Sequence, residues 1–214
     1  MIIIMLGAPG AGKGTQSELL KETLQLVHIS SGDLLRDNIK RETELGKIAY
    51  DYMNVKATLV PDDLVIAMIL ERLELPDAER GVLLDGFPRT APQAAALTEA
   101  LEFKGKRVSA ALYIRVDDET LVGRLSGRWI CRKCGHIYHE KFAPPRVHGV
   151  CDIDGGELYQ REDDTREKAK KRVQVFHEET EPIIEYYRQR GVLCEVDGDR
   201  YIEVVTEELL DCLR

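Results

Sequence analysis

The chain has 214 residues, of which 43% are hydrophobic and 32% charged, and its formal net charge is −8. This length allows one domain with a sizeable core. The negative charge argues against a general nucleic-acid binder, whose affinity depends on neutralising phosphates. The opening apolar run, residues 1–6, is too short for a signal peptide or a membrane span. We therefore expect a cytoplasmic protein with reduced cysteines.

Short apolar runs alternate with helical patterns along most of the chain. The runs predict strands at residues 2–6, 26–29, 82–84, 110–116 and 192–196. Helices are predicted at residues 15–26, 33–41, 44–54, 62–74, 91–103, 119–125, 165–190 and from 201 onward. Continuous apolar strands separated by helices are typical of a parallel α/β sheet.

A glycine-rich segment, Gly7 to Thr15, joins the first strand to the first helix. Its G-x4-G-K pattern predicts a phosphate-binding loop, because glycines let backbone N–H groups point at a phosphate beside a helix N-terminus. Lys13 adds a positive charge for the β- and γ-phosphates. Gly14 stands where a Mg²⁺-ligating Ser or Thr usually follows the lysine. The alternative is a glycine-rich turn without a ligand. No N-K-x-D guanine-reading motif occurs, which argues against a GTPase.

Two further motifs carry groups suited to nucleotide chemistry. They are the segments Ser31-Gly32-Asp33-Leu34-Leu35-Arg36 and Asp85-Gly86-Phe87-Pro88-Arg89, with Gln93 four residues after the second. Asp85 ends a predicted strand, where its carboxylate could hold Mg²⁺-bound water. Arg36 and Arg89 offer planar guanidinium groups that suit a phosphate. Alternatively, Asp85 caps a turn and both arginines form surface ion pairs.

The alternation of strands and helices stops between residues 127 and 164. This segment holds three of the five cysteines and three of the five histidines, and it has no long apolar stretch. It predicts a small inserted subdomain that is stabilised by something other than a hydrophobic core. It carries six basic and seven acidic residues, which argues against a nucleic-acid-binding module.

Four residues of this segment have the spacing C-x2-C-x16-C-x2-D. They are Cys131, Cys134, Cys151 and Asp154. Three thiolates and a carboxylate can form a closed tetrahedral Zn²⁺ site, which would be structural. The alternatives are unligated cysteines, a redox pair, or a histidine (His136, His139 or His148) as the fourth ligand. The other two cysteines, Cys194 and Cys212, are expected to be buried thiols.

The phosphate loop, the two motifs and Gln93 together resemble the adenylate kinase family in order and spacing from residue 1 to about residue 200. The resemblance implies a five-stranded parallel sheet in the order 2-3-1-4-5, formed by residues 1–29, 61–126 and 165–214. It also implies two mobile insertions. A helical one at 30–60 would cover the nucleoside monophosphate, and a zinc-bearing lid of the long bacterial type at 127–164 would cover ATP.

The resemblance further implies a role for each matching residue. ATP would be bound by Gly10, Ala11, Gly12, Lys13, Gly14, Thr15, Arg128, Ile137, Tyr138 and Arg200. AMP would be bound by Ser31, Arg36, Thr58, Leu59, Val60, Gly86, Phe87, Pro88, Arg89, Gln93, Arg161 and Arg172. The catalytic side chains would be Lys13, Arg89, Arg124, Arg128, Arg161 and Arg172. Asp33 and Asp85 would bind the water ligands of Mg²⁺. Without the resemblance, ordinary solvated faces would be the favoured interpretation of Arg124, Arg128, Arg161 and Arg172.

The sequence departs from the usual family pattern at two places. Ser31 replaces the more usual threonine but keeps the hydroxyl group. It favours AMP, because pyrimidine monophosphate kinases typically carry alanine there. The segment 54–60 is one residue longer than the usual form and lacks its glycine.

The implied reaction is reversible, Mg²⁺-dependent phosphoryl transfer from ATP to AMP, giving two ADP. We expect a monomer whose partners are ATP, AMP and ADP, with no nucleic acid and no membrane. Three alternatives stay open. They are a related kinase with another donor or acceptor base, a P-loop switch ATPase, and a zinc-knuckle interaction module.

Overall fold

The computed structural model describes all 214 residues, which form eight strands in two sheets. The strands are β1 (Ile2–Leu6), β2 (Val27–Ser30), β3 (Val82–Asp85), β4 (Ala110–Arg115), β5 (Arg128–Cys131), β6 (Ile137–His139), β7 (Leu158–Tyr159) and β8 (Leu193–Asp197). The main sheet has the order β2-β3-β1-β4-β8, and every pair in it is parallel. Since β8 is the fifth strand of this sheet along the chain, the predicted order is confirmed.

Nine α-helices surround the strands. They are α1 (Lys13–Leu24), α2 (Ser31–Lys40), α3 (Glu44–Tyr50), α4 (Asp62–Leu73), α5 (Ala91–Phe103), α6 (Asp118–Ser126), α7 (Arg166–Val175), α8 (Pro182–Gln189) and α9 (Ile202–Asp211). The prediction of one helix over 165–190 is wrong, because a π-helical turn, Phe176–Thr180, separates α7 from α8. Pro182 lacks an N–H group and its ring displaces the preceding turn, which explains the interruption. No helix of the structure has the length and apolar character needed to cross a bilayer.

A single cluster of 40 buried apolar residues forms the core around the main sheet. All five residues of β1 are buried, as expected for the central strand of a parallel sheet. The cluster extends into the segment 30–60, where it includes Leu35, Ala49 and Val60. This part of the chain therefore shares the main core.

The helix predicted over 44–54 is α3 followed by a wider π-helical turn, Asp51–Val55. A π turn closes its hydrogen bonds over one residue more than an α turn, so it can hold the additional residue of the segment 54–60. Ala57 adopts a left-handed conformation with φ of 52°, which is normally favourable only for glycine. A left-handed residue thus follows the π-helical turn although the segment 54–60 contains no glycine.

The second sheet lies within residues 127–164 and is antiparallel, with the order β6-β5-β7. Its strands are two to four residues long, too short to be recognised from the sequence. Only four residues form its buried cluster, namely Cys131, Tyr138, Cys151 and Leu158. This segment therefore has very little apolar core of its own.

The prediction that Cys194 and Cys212 are buried thiols is wrong. The two residues form a disulfide between β8 and the end of α9, with their Cα atoms 6.0 Å apart. Both are only partly buried. No local sequence pattern indicates this pairing, because the two residues meet only when α9 folds back along β8.

Candidate active site

The phosphate loop lies where β1 ends and α1 begins. Gly10 has φ of 89°, and a Cβ atom there would lie 2.9 Å from the carbonyl oxygen of Leu121. Gly12, also left-handed, precedes the first residue of α1. Only glycine fits this backbone. The loop therefore presents N–H groups at the N-terminus of α1, as the G-x4-G-K pattern predicted.

Lys13 is folded over this loop. Its Nζ atom donates hydrogen bonds to the carbonyl oxygens of Gly7 and Ala8, at 2.8 and 3.1 Å. Burial lowers the pKa of Lys13 to about 8, with Arg89 adding to this effect and the carboxylate of Asp85 opposing it. An anion at the loop would favour the charged form of Lys13.

The end of β3 brings together three of the residues predicted to bind AMP. The Ser31 hydroxyl donates to the carbonyl oxygen of Gly86 at 2.5 Å, and Nε of Arg89 donates to the same oxygen at 2.8 Å. A Cβ atom on Gly86 would lie 2.7 Å from Arg89 and 2.8 Å from Ser31, so only glycine fits. Burial lowers the pKa of Arg89 to about 10, and the nearby Arg172 contributes. No carboxylate forms an ion pair with Arg89.

Gln93, also predicted to contact AMP, is held by a residue whose role the sequence did not indicate. Its Oε1 atom accepts from the backbone N–H of Arg89 at 2.8 Å, and its Nε2 atom donates to Asp62 at 2.7 Å. The other oxygen of Asp62 accepts from Thr90 at 2.8 Å. From the sequence, Asp62 is only the first residue of the helix predicted over 62–74. Its partners lie about 30 residues away, so no local pattern could identify them.

Asp164 connects the two ends of the segment 127–164. Its carboxylate accepts two hydrogen bonds from Arg128, at 2.8 and 2.6 Å, and one from Arg172, at 2.9 Å. Arg172 also pairs with Asp163 at 2.9 Å. The side chain of Asp164 is 0% exposed, and a buried carboxylate of this kind requires such partners. Asp163 and Asp164 are thus both paired with arginines predicted to be catalytic.

Arg161 contributes a buried cation with free donors. Its Nε atom is buried without a hydrogen-bond partner, and its nearest acidic contact is Asp33 at 3.9 Å. Burial lowers the pKa of Arg161 to about 10, and the positive charges of Arg36 and Arg128 add to this effect. Arg36 itself forms an ion pair with Asp33. An anion placed between these arginines would be stabilised.

Some residues with predicted roles lie outside this group of charges. Arg124 donates to the carbonyl oxygen of Gly198 at 3.0 Å and pairs with Asp199 at 3.1 Å. Arg200 pairs with Asp197 and Glu208 on the surface. These partners tie both arginines to the region between β8 and α9. The nucleotide contacts and the catalytic role assigned to them stay predictions.

Residues predicted to contact adenine occupy two different environments. The ring of Tyr138 is buried, and its hydroxyl lies 3.4 Å from Sγ of Cys151. It is not available for stacking on a base, whereas the side chain of Ile137 is 39% exposed. In the segment 58–60, the backbone N–H of Thr58 donates to the carbonyl oxygen of Tyr52 at 2.9 Å. The side chain of Val60 is buried. Backbone contacts to adenine from these residues stay predictions.

Two further contacts join the segment 30–60 to residues beyond it, and neither was suggested by the sequence. The Tyr50 hydroxyl donates to Glu162 at 3.2 Å. Nζ of Lys168 on α7 donates to the carbonyl oxygen of Asn54 within the π-helical turn. The wider turn thus supplies an acceptor to a helix of the main core.

The four predicted zinc ligands lie together. The ligand atoms of Cys131, Cys134, Cys151 and Asp154 all lie within 4.8 Å of one another. The Sγ atoms of Cys134 and Cys151 are 3.7 Å apart, close to the separation of about 3.8 Å that tetrahedral Zn²⁺ with 2.3 Å Zn–S bonds requires. No histidine belongs to this group. The donor set therefore fits a closed, structural zinc site.

His139, one of the alternative ligands, is engaged elsewhere. Its Nδ1 atom accepts from the backbone N–H groups of Lys141 and Phe142, at 3.0 and 3.3 Å. Its Nε2 atom lies 3.3 Å from the carbonyl oxygen of Gly123. Both ring nitrogens are occupied, so His139 does not compete with Asp154, the fourth member of the cluster.

Asp85 offers the only carboxylate at the end of β3. Its pKa is lowered in spite of burial, because His28 and the positive charges of Lys13 and Arg89 stabilise the anion. An ionised carboxylate beside a phosphate loop is a suitable acceptor for Mg²⁺-bound water. Asp33, by contrast, has a side chain that is 64% exposed and is paired with Arg36. The site therefore fits Mg²⁺ that is held mainly by phosphates and water.

The adenylate kinase family model matches residues 5–192 of this chain. The adenylate kinase of Caldicellulosiruptor bescii is 51% identical to it over 213 residues, covering 100% of this chain and 99% of the relative. The adenylate kinase of Streptomyces coelicolor is 48% identical, and that of Staphylococcus epidermidis is 47% identical, each with 100% of this chain and 99% of the relative covered. The similarity therefore extends over the whole chain and includes the segment 127–164.

Proposed function

Because the chain belongs to the adenylate kinase family, we propose that it reversibly transfers the γ-phosphoryl group of ATP to AMP, giving two ADP. The observation that carries the proposal is the pair of cations at the ends of β1 and β3. Neither Lys13 nor Arg89 has a carboxylate ion-pair partner, and burial lowers the pKa of each. Two cations that no carboxylate contacts directly suit two phosphate groups placed side by side.

In this proposal the two nucleotides approach from opposite sides of the site. The phosphates of ATP would lie on the loop from Gly10 to Thr15, with Lys13 beside the β- and γ-phosphates. The phosphate of AMP would lie between Arg36 and Arg89. Ser31, which donates a hydrogen bond to the carbonyl oxygen of Gly86, would lie beside this phosphate.

Catalysis would rest on position and charge. The phosphate oxygen of AMP is already anionic, so its attack on the γ-phosphorus needs no general base. Holding the two phosphates in line can lower the barrier by about 7–11 kcal/mol. Arg128, Arg161 and Arg172 would stabilise the charge on the equatorial oxygens of the transferring group. Asp164 would hold Arg128 and Arg172 in place for this role.

Two metals belong to the proposal. Asp85, with Asp33 nearby, would bind the water ligands of Mg²⁺, which when bound neutralises charge on the ATP phosphates. The cluster of Cys131, Cys134, Cys151 and Asp154 would hold a structural Zn²⁺. We propose that the segments 30–60 and 127–164 move against a core of residues 1–29, 61–126 and 165–214. Their closure would exclude water, which would otherwise accept the phosphoryl group.

The direct test is ADP formation from Mg-ATP with AMP, GMP, UMP or CMP as the acceptor. We expect fast turnover with AMP alone, in a monomeric cytoplasmic enzyme. A preference for another monophosphate would assign the chain to a related kinase. Slow hydrolysis that is indifferent to every acceptor would favour a switch ATPase.

A substitution tests the assignment of the acceptor site. Arg89→Met should lower kcat/KM for AMP by at least about 100-fold, because a charged hydrogen-bond donor to the transferring group is lost. Arg115→Met removes an exposed arginine that pairs with Glu195 and serves as the matched control. Equal activity of the two variants would contradict the placement of AMP.

A further inference from the structure

The disulfide between Cys194 and Cys212 lies apart from the nucleotide site and from the other cysteines. Cys194 is on β8, the edge strand of the main sheet, and Cys212 caps α9 at the end of the chain. Their Cα separation of 6.0 Å is within the usual range for disulfides. The three remaining cysteines belong to the candidate zinc site. The pair can therefore change its oxidation state without taking a ligand from the metal.

Helix α9 connects this pair to the phosphate loop. The Gln16 side chain, one residue after the loop, donates to the carbonyl oxygen of Ile202 at 3.0 Å and accepts from Thr206 at 2.8 Å. Val205 and Leu209 anchor the same helix in the core. Without the disulfide, α9 is held only by such noncovalent contacts, and a C-terminal helix of this kind is prone to fraying.

We propose that Cys194 and Cys212 are a reversible thiol–disulfide modification site, which exchanges with low-molecular-weight disulfides and controls how firmly α9 is attached. The two side chains are only partly buried, so a small disulfide can reach them. The site is distinct from the proposed kinase activity and does not depend on it.

The exchange proceeds in two balanced steps. The thiolate of Cys194 attacks one sulfur of oxidised glutathione, forming a mixed disulfide and releasing one glutathione thiolate. The thiolate of Cys212 then attacks Sγ of Cys194, closing the protein disulfide and releasing the second glutathione thiolate. The two cysteines lose two electrons, which reduce oxidised glutathione, and their two protons end on the glutathione thiols.

Closing this link should stabilise the protein because it restricts the unfolded chain between residues separated by 18 positions. We expect the thermal midpoint to be about 5–10 °C higher in the oxidised form. Activity at 25 °C should change by less than about twofold, since neither cysteine touches the nucleotide site. The lifetime of the enzyme at elevated temperature should be longer in the oxidised form.

The test treats the full-length protein with oxidised glutathione or with a phosphine reductant, and it then alkylates free thiols under denaturing conditions. Mass spectrometry should find three alkylated cysteines in the oxidised sample and five in the reduced one. A variant carrying Cys194→Ser and Cys212→Ser keeps the zinc-site thiols and is the control. Its thermal midpoint should be the same after both treatments.

Two results would overturn the proposal. One is five alkylated cysteines after treatment with oxidised glutathione, or a disulfide that maps to residues 131, 134 or 151. The other is an equal redox response of the thermal midpoint in the control variant. Loss of kinase activity in both redox states would contradict the proposed function but leave this inference intact.

Discussion

Two regions of this protein each bring together side chains of one charge that suit a ligand of the opposite charge. They differ in the size of the hydrophobic core beneath them. The phosphate loop and the end of β3 gather Lys13 and Arg89 on the main sheet, within a core of 40 buried residues. The second sheet gathers three thiols and the Asp154 carboxylate over a cluster of only four buried residues. We therefore expect the first site to fold before its ligand binds and the second to depend on a bound metal for its folding.

Because of this difference in core size, we expect loss of each site to have a different effect on the fold. Loss of the anion site should reduce turnover and leave the fold unchanged. Loss of the metal site should unfold the segment 127–164 and leave the main sheet unchanged. Asp164 joins the two regions, because it pairs with Arg128 on β5 and with Arg172 on α7.

Metal removal should have the largest effect. Zinc binding contributes on the order of 10 kcal/mol in small zinc-dependent folds, so a chelator should unfold the second sheet. We expect protease cleavage within 127–164 and a lower thermal midpoint, with activity lost as this segment unfolds, because it carries Arg128 and Arg161. Amide exchange in β1 and β4 should be unchanged. Loss of activity with a fully protected second sheet would contradict a structural metal.

The substitution Asp164→Ala should have the next largest effect, a loss of stability. It leaves Arg128 and Arg172 partly buried without their shared counter-charge, which typically costs about 3–5 kcal/mol. For a chain of this size, the thermal midpoint should fall by roughly 6–20 °C. The control is Asp77→Ala, which removes an exposed partner of Arg72 and should cost less than about 1 kcal/mol. Similar losses in both variants would show that Asp164 does not join the two regions.

Lys13→Ala should lower kcat by about 100- to 1,000-fold, since it removes a preorganised positive charge from the transferring phosphate. Its thermal midpoint should stay within a few degrees of the unchanged protein, because the surrounding core is intact. Lys21→Ala, in the same helix but exposed and paired with Glu18, is the control for turnover. Near-normal turnover of Lys13→Ala would contradict the assignment of the phosphate loop.

The pH dependence should be the smallest of these effects. The pKa of Lys13 is lowered to about 8 by burial, so the empty loop loses its positive charge as the pH rises through 8. Bound phosphate favours the protonated form, so KM for ATP should rise by up to about tenfold per pH unit. The value of kcat should change less. A constant KM between pH 7 and 9 would contradict this role of Lys13.

The sequence predicted the features that depend on local pattern. Apolar runs identified the strands of the main sheet, and glycine spacing identified the phosphate loop, because both are consequences of neighbouring residues. Features that depend on distant residues were missed. Asp62 meets Gln93 only after α4 and α5 pack together, and Cys194 meets Cys212 only across β8 and α9.

The second sheet shows another limit of sequence reasoning. The cysteine spacing identified its metal-ligand set, but strands of two to four residues carry too little alternation to be detected. The break between α7 and α8 was missed although Pro182 is visible in the sequence. A proline inside an otherwise regular helical pattern is stronger evidence for an interruption than the surrounding pattern is for a continuous helix.

The π-helical turn Asp51–Val55 has a consequence for how this part of the chain can change over evolutionary time. A residue added inside an α-helix rotates everything after it by about 100°, which would turn buried side chains toward solvent. Here the wider turn and Ala57 absorb the change locally, and both Ala49 before it and Val60 after it remain buried. One residue more or less can therefore be taken up at this point without turning Ala49 or Val60 toward solvent.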